Sequence, residues 1–159
     1  MIRDALLQVS TAQALTTTAV STDSIDLSSA ATAGHGAAVG VNPHSIGTGE
    51  KIRLFVDVVT TLLGGTSVVF EIISASDAAL TSDIEVLGAS DAYLAADLVD
   101  TREPIIVEIN PDPGNAQGRM QRYIGARYTI DGTFTSGAVD AGFLLDFQNA
   151  RIFPASTDT

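Results

Sequence analysis

The clearest pattern in the chain is an alternation of apolar and polar side chains between residues 121 and 148. Every second residue is apolar in each half of the stretch, at Ile124, Ala126, Tyr128 and Ile130 and then at Val139, Ala141, Phe143, Leu145 and Phe147. Successive side chains of a β-strand point to opposite faces, so each half buries one face. Asp131-Gly132 and Ser136-Gly137 lie between the halves and favour turns. The pattern predicts a long antiparallel hairpin.

A second pair of alternating stretches lies in the middle of the chain. Lys51–Thr60 and Thr66–Ser74 are apolar on nearly both faces, and Gly64-Gly65 between them favours a hairpin turn. We therefore predict two central strands joined as a hairpin. Asp91–Asp100 has the one plausible helical turn, because Leu94 and Leu98 are four residues apart.

Shorter stretches complete a β-rich chain. The weaker strand predictions are Gln13–Val20, Ser24–Leu27, Ile84–Leu87 and Pro104–Ile109. About eight short strands, separated by Gly, Asp and Pro, are typical of a β-sandwich or jelly roll. The sequence predicts an all-β, antiparallel fold in a single domain over residues 1–159.

Two segments lack the pattern of a core element. Residues 1–20 are predicted to form an N-terminal arm and a first strand; Met1–Val9 is apolar at mixed spacing and suits an extended arm or a short helical turn, docked on the domain or on a neighbour. Ser28–Gly49 is rich in Ser, Ala, Thr and Gly and has few large side chains, which predicts a long loop. We predict both segments to be contact elements for a partner.

Composition restricts the partners. The chain has a net charge of −11, and its eight basic residues are scattered, which argues against nucleic acid and anionic lipid. No apolar run approaches the ~20 residues of a membrane helix, and the N-terminus does not resemble a secretory signal. Charged residues are 17% of the total against roughly 25% in an average domain. Either a partner covers part of the surface, or Ser, Thr and Gly make it polar.

Motifs for chemistry are weak. Gly34–Gly40 resembles a dinucleotide-binding loop superficially, but its last glycine interval is one residue too long and no predicted strand precedes it. The two histidines, His35 and His44, both lie in the Gly-rich loop, and the chain has no Cys. This pattern suits neither a metal site nor a Ser-His-Asp triad. The carboxylates of Asp91, Asp97, Asp100 and Asp112 are interpreted as a solvated acidic surface. We expect no catalytic, cofactor-binding or metal-binding residue, and no enzyme.

One polar group, formed by Arg122, Tyr123 and Arg127, has two interpretations that the sequence supports equally. The arginines either cover apolar neighbours and pair with Asp140 and Asp146 across the predicted hairpin, or form an interface patch, where Tyr and Arg are favoured. The candidate interface with a partner or with a second copy of the chain is Ile2, Leu6, Leu7, Val9, Leu15, Arg122, Tyr123 and Arg127.

Several stretches together carry a family resemblance. They are Gln13-Ala14-Leu15-Thr16, Val20–Leu27, Leu98-Val99, Arg122-Tyr123-Ile124, Tyr128-Thr129, Thr135–Gly142 and Leu144–Gln148. In their order and spacing they resemble the small jelly-roll capsid cement (decoration) proteins of tailed bacteriophages, typified by the one on a Bordetella phage. The Ser28–Gly49 loop departs most from that family.

The resemblance implies a structural virion protein on the outer surface of the phage head. Such a protein stabilises contacts between capsomers by binding the major capsid protein, and pairs with itself as a homodimer or, as second choice, a homotrimer. The alternative is a carbohydrate- or receptor-binding jelly-roll module of a virion, which needs an exposed aromatic cluster.

Overall fold

The computed structural model describes residues 5–27, 52–109 and 121–144. This part of the chain contains a short 3₁₀ helix at Ala5–Leu7, another at Ala95–Asp97, and ten strands. The strands are β1 Gln8–Ala14, β2 Ala19–Val20, β3 Ile25–Asp26, β4 Arg53–Leu63, β5 Ser67–Ala75, β6 Glu85–Ala89, β7 Tyr93–Leu94, β8 Ile105–Glu108, β9 Tyr123–Asp131 and β10 Ser136–Leu144. The prediction of an all-β fold is confirmed, with ten strands in the described ranges rather than about eight.

The strands form two antiparallel sheets that pack face to face. Sheet A has the order β1-β10-β4-β8, and sheet B has the order β2-β9-β5-β6, with β3 also paired to β9 and β7 to β5. One cluster of buried apolar side chains from both sheets fills the space between them, and its largest members are Tyr128, Phe70 and Phe134. The predicted antiparallel β-sandwich is therefore confirmed.

The two predicted hairpins are wrong, although their strands are present. β9 pairs with β5 in sheet B, whereas β10 pairs with β1 and β4 in sheet A. Likewise β4 lies in sheet A and β5 in sheet B. Each Gly-containing turn carries the chain from one sheet to the other, so both strand pairs are arches. Alternation of side chains defines which face of a strand is buried, but it does not define the neighbouring strand.

The two arches support each other at one end of the sandwich. Gly64 and Gly132 adopt positive φ angles of 95° and 83°, a conformation that glycine enters at little cost. The Thr135 amide donates a hydrogen bond to the Leu63 carbonyl at 2.7 Å, and the Thr66 amide donates to the Asp131 carbonyl at 3.0 Å. Phe134 is buried between the sheets. Burial of this side chain and bonding between the turns favour arches over hairpins.

The N-terminal part is an edge strand rather than an arm from Gln8 onward. β1 pairs with β10, and the predicted strand Gln13–Val20 is instead the end of β1, a turn and β2. Ser10 and Tyr128 join the two sheets, with 2.7 Å between their hydroxyl oxygens, and Ser10 donates to the Gln13 side-chain oxygen at 2.7 Å. Burial raises the pKa of Tyr128. Residues 8–14 are therefore held on both sheets.

The remaining strand predictions are confirmed with small shifts in their bounds. Ser24–Leu27, Ile84–Leu87 and Pro104–Ile109 contain or overlap β3, β6 and β8. The predicted helical turn is the 3₁₀ helix Ala95–Asp97, after which Leu98 is buried. Ile2 and the Ser28–Gly49 loop lie outside the described residues.

Candidate interaction surfaces

The outer side of sheet A carries apolar side chains, and we call it the apolar face. In β4, Leu54, Val56 and Val58 point into the core, so the alternate positions point outward. The outward apolar residues of β4, β8 and β10 that define the apolar face are Phe55, Val59, Leu63, Ile106, Ala138 and Leu144. Val59 and Leu63 are 40% and 56% exposed. Sheet A thus offers solvent a partly apolar surface.

The last residue of the N-terminal 3₁₀ helix lies next to Gly142, on the outer side of sheet A. A Cβ built on Gly142 would lie 2.8 Å from the Phe55 ring and 3.0 Å from the Leu7 carbonyl oxygen. Phe55 is buried there although it faces away from the core. Leu6 is 85% exposed and Leu7 is half-buried. The N-terminus was predicted to dock on its own domain or on a neighbour. Docking on its own domain is observed at Leu7.

Two of the predicted interface residues belong to the core. Val9 and Leu15 have no exposed surface and pack in the cluster between the sheets. A side chain that is already fully buried has no surface to offer a partner, so these two predictions are corrected. Both lie where β1 is fixed to the rest of the sandwich: the Asp23 amide donates to the Val9 carbonyl, and the Leu15 amide donates to the Gly137 carbonyl.

The outer side of sheet B is polar and internally bonded at Arg127. Arg127 lies opposite Glu71 and donates two hydrogen bonds to its carboxylate, at 2.6 Å and 3.2 Å, while Thr129 donates a third at 2.7 Å. Burial acts to raise the pKa of Glu71, but the hydrogen bonds from Arg127 and Thr129 outweigh it and hold that pKa below its usual value. The hydrogen bonds to Glu71 in turn raise the pKa of Arg127. The charges of Glu71 and Arg127 are therefore paired with each other within sheet B.

Arg122 and Tyr123 lie at the start of β9, also on the sheet B side. Arg122 donates two hydrogen bonds to Asp26 of β3, at 3.0 Å and 2.8 Å, and these raise the pKa of Arg122. Its guanidinium lies 5.0 Å from the centre of the Tyr123 ring. The predicted pairing of the arginines with Asp140 is wrong, because β10 lies in the other sheet and the neighbours of β9 are β2, β3 and β5. Asp146 lies outside the described residues.

A loop between β5 and β6 covers the rest of this side. Leu80 is fully buried against Ile73 and Ala75, with Val20, Ile84 and Tyr123 around them. A Cβ on Gly125 would collide with a Leu80 methyl carbon, so the glycine makes room for the leucine. We call this side the closed face, defined by the outward residues of β5 and β9 and by loop residues 76–84.

The loop is braced by its own hydrogen bonds. The Asp77 carboxylate accepts from the Thr81 amide, the Thr81 hydroxyl and the Ser82 amide at 2.7–2.9 Å. Led by the bond from Thr81, they lower the pKa of Asp77. Leu80 and Asp83 adopt positive φ angles of 56° and 49°, which are unfavourable for residues with a side chain. Sequence reasoning missed this loop, and its one signal was the isolated Leu80 among small and polar residues.

The fold therefore places the predicted interface residues in different parts of the molecule. Leu6 is exposed, and Leu7 packs half-buried against the cluster between the sheets. Arg122, Tyr123 and Arg127 lie on the closed face, and Val9 and Leu15 lie fully buried between the sheets. Ile2 lies outside the described residues. The predicted set is thus not one surface.

Charge within the described residues is strongly acidic. They contain fourteen carboxylate side chains and four arginines. Arg53 pairs with Glu108 at 2.8 Å, and Arg102 stacks on Tyr93 and donates to the Asp97 and Glu103 carbonyls. Arg122 pairs with Asp26 and Arg127 pairs with Glu71, so each described arginine interacts with another residue of the chain. The prediction that the chain does not bind nucleic acid stays a prediction.

Within the described ranges, no three acidic or histidine side chains form a group suited to a metal ion. No helix there is long and apolar enough to cross a membrane. His35, His44 and Asp112 lie outside the described residues, while Asp91, Asp97 and Asp100 are exposed.

Comparison with known protein families gives a match over most of the chain. The family model Bbp16, whose name is that of a Bordetella phage protein, matches residues 9–143. The match begins in β1 and ends in β10, so it includes both sheets. No curated protein matches the chain.

Proposed function

Because the chain belongs to the Bbp16 family, we propose that it is a structural virion protein, a cement or decoration protein of a phage head. In this role it binds the outer surface of the capsid and stabilises contacts between capsomers of the major capsid protein. The observation that carries the proposal is the family match across nearly the whole sandwich. The role is one of binding, without catalysis and without a cofactor.

The fold is physically suited to such a role. A cement protein has to keep its shape while it adds contact area between neighbouring subunits. Here the two arches bond to each other, and Ser10 and Tyr128 link the sheets. A standard protein interface buries about 800 Å² on each partner. A modest contact of this kind is repeated over a symmetric shell, so its total effect on the shell is large.

The strong negative charge supports an outer position. Packaged DNA is a dense array of phosphates, and a chain with a net charge of −11 repels it. Self-association as a homodimer or, as second choice, a homotrimer remains part of the proposal. Light scattering of the purified chain would measure it.

The function is tested by cosedimentation of the purified full chain with heads that lack it. We expect saturable binding to these heads and greater resistance of decorated heads to heating. Heads that already carry the protein are the matched control, and they should take up little more. A chain that stays in the supernatant at every concentration would contradict the proposal. A glycan array then tests the alternative, a carbohydrate-binding module.

A further inference from the structure

The loop of residues 76–84 forms a small unit of its own on sheet B. Its two ends are joined by the Ser76 amide, which donates to the Ser82 carbonyl at 3.0 Å, and by the Ser76 hydroxyl, which donates to the Asp83 carboxylate at 2.9 Å. The Asp77 carboxylate accepts three further bonds from inside the loop. Most of the loop's hydrogen bonds among the described residues are therefore local, and they join loop residues to one another rather than to the strands.

Leu80 is the main contact between the loop and the sheet. Its side chain is fully buried, whereas Ala79 and Thr81 on either side are exposed. From outside the loop, the Ser24 hydroxyl donates one hydrogen bond to the Ala78 carbonyl at 2.8 Å. Withdrawal of Leu80 from the sheet therefore breaks few contacts and no strand pairing.

The apolar side chains beneath Leu80 are separate from the main core. Leu80 packs with Ile73 and Ala75 in one cluster, and the cluster between the two sheets contains neither of these residues. The reason is that these two side chains point to the outer side of β5, while those of Phe70 and Ile72 point to the inner side. The core thus keeps its packing when Leu80 leaves.

Backbone strain in the loop opposes the closed conformation. Leu80 and Asp83 have positive φ angles of 56° and 49°, which a residue with a side chain adopts at a cost. Such conformations persist only where the surrounding structure holds them, and they are frequent in switch regions. Here the burial of Leu80 and the bonds to Asp77 hold them. An open loop is released from this strain and recovers conformational freedom.

We propose that loop 76–84 is a lid, which opens as a unit while both sheets stay folded. In the closed state Leu80 fills the space above Gly125. In the open state Leu80 is in solvent, and an apolar patch, defined by Ile73 and Ala75, is uncovered on sheet B. Opening therefore makes part of the closed face apolar. The proposal concerns the chain by itself and holds whether or not the chain binds phage heads.

Native-state hydrogen exchange of the purified parent chain tests the lid. The reporters in the loop are the amides of Leu80, Thr81 and Ser82, which all form hydrogen bonds inside the loop. The reporters in the sheet are the amides of Phe70 and Tyr128, which lie opposite each other in sheet B. We expect the three loop amides to share one protection factor, at least about tenfold below that of the sheet amides, and to depend weakly on urea because opening exposes little surface. Loop amides with the protection and the urea dependence of the sheet would overturn the lid, as would three unrelated protection factors.

Two leucine variants separate the lid from the sandwich. Leu80 and Leu54 are both fully buried, the first in the loop cluster and the second in the core between the sheets. Leu54→Ala weakens the core in the open and closed states alike, so it should lower the protection of the sheet amides about tenfold or more and leave that of the loop amides unchanged. Leu80→Ala removes a contact of the closed state and should lower the protection of both sets. A fall in loop protection in Leu54→Ala equal to that in the sheet would contradict the proposal.

Thiol labelling tests whether the patch is uncovered. The chain has no cysteine, so a single introduced thiol reports its own site. Ala75→Cys places it under the lid, and Ala141→Cys, at an equally buried alanine, places it in the core. We expect the first variant to be labelled at least about tenfold faster than the second under native conditions. Equal labelling rates would overturn the lid, as would labelling of Ala75→Cys at the rate of an unfolded chain, because no closed state would then exist.

Discussion

The two outer faces of the sandwich are built from similar strands and differ in how they are covered. On the closed face, Leu80 fills the space above Gly125, and Glu71 is bonded by Arg127 and Thr129. On the apolar face, Phe55 fills the space above Gly142, but Val59 and Leu63 remain exposed. The comparison separates apolar side chains that are buried and stabilise the fold from apolar side chains that remain exposed to solvent.

The largest expected effect is on the closed face. Leu80→Ala should lower the free energy of unfolding by about 2–4 kcal/mol, because it removes a fully buried side chain from the loop cluster. Urea unfolding measures the change, and Leu94→Ala is the control, with an expected loss of about 0.5 kcal/mol or less at an exposed site. Equal small losses in the two variants would mean that the loop does not stabilise sheet B.

The charge pair on the same face should have a smaller effect. Glu71→Gln removes the carboxylate that Arg127 and Thr129 bond, with an expected loss of about 1 kcal/mol. A double-mutant cycle with Arg127→Gln isolates the pair. Strictly additive losses would show that the two side chains are not coupled.

The acid dependence of that contribution follows from the pKa of Glu71. Its folded-state pKa is lowered, so the carboxylate stabilises the fold fully above the ordinary value of 4.5. The contribution is lost as the pH falls from that value through the folded-state pKa. The difference in stability between the parent chain and Glu71→Gln should therefore shrink below about pH 4.5, as measured by urea unfolding at a series of pH values. A difference that stays constant down to low pH would contradict this assignment.

The smallest effect is expected on the apolar face. Val59→Thr with Leu63→Thr should change the free energy of unfolding by about 0.5 kcal/mol or less, because both side chains are substantially exposed. Thermal and urea unfolding of this variant measure the change. A loss of several kcal/mol would mean that these two side chains stabilise the fold despite their exposure.

The amino-acid pattern alone determined the strands and the faces that they bury. The alternation in residues 123–131 and 136–144 correctly assigns Ile124, Ala126 and Tyr128 to the core, and likewise Val139, Ala141 and Phe143. The reason is local: a strand's two faces follow from its own backbone geometry. The phage-type family was also recognised from short motifs in order, and the family match over residues 9–143 agrees. The cement role and its partners remain proposals.

Tertiary structure alone decided which strands are neighbours, and therefore which side chains form a surface. A turn such as Gly64-Gly65 permits both a hairpin and an arch, and the choice depends on the burial of Phe134 and on bonds between turns far apart in sequence. Once β9 and β10 lie in opposite sheets, Arg127 meets Glu71 instead of Asp140, and Val9 and Leu15 join the core. These are long-range contacts, and a local pattern of residues contains no information about them.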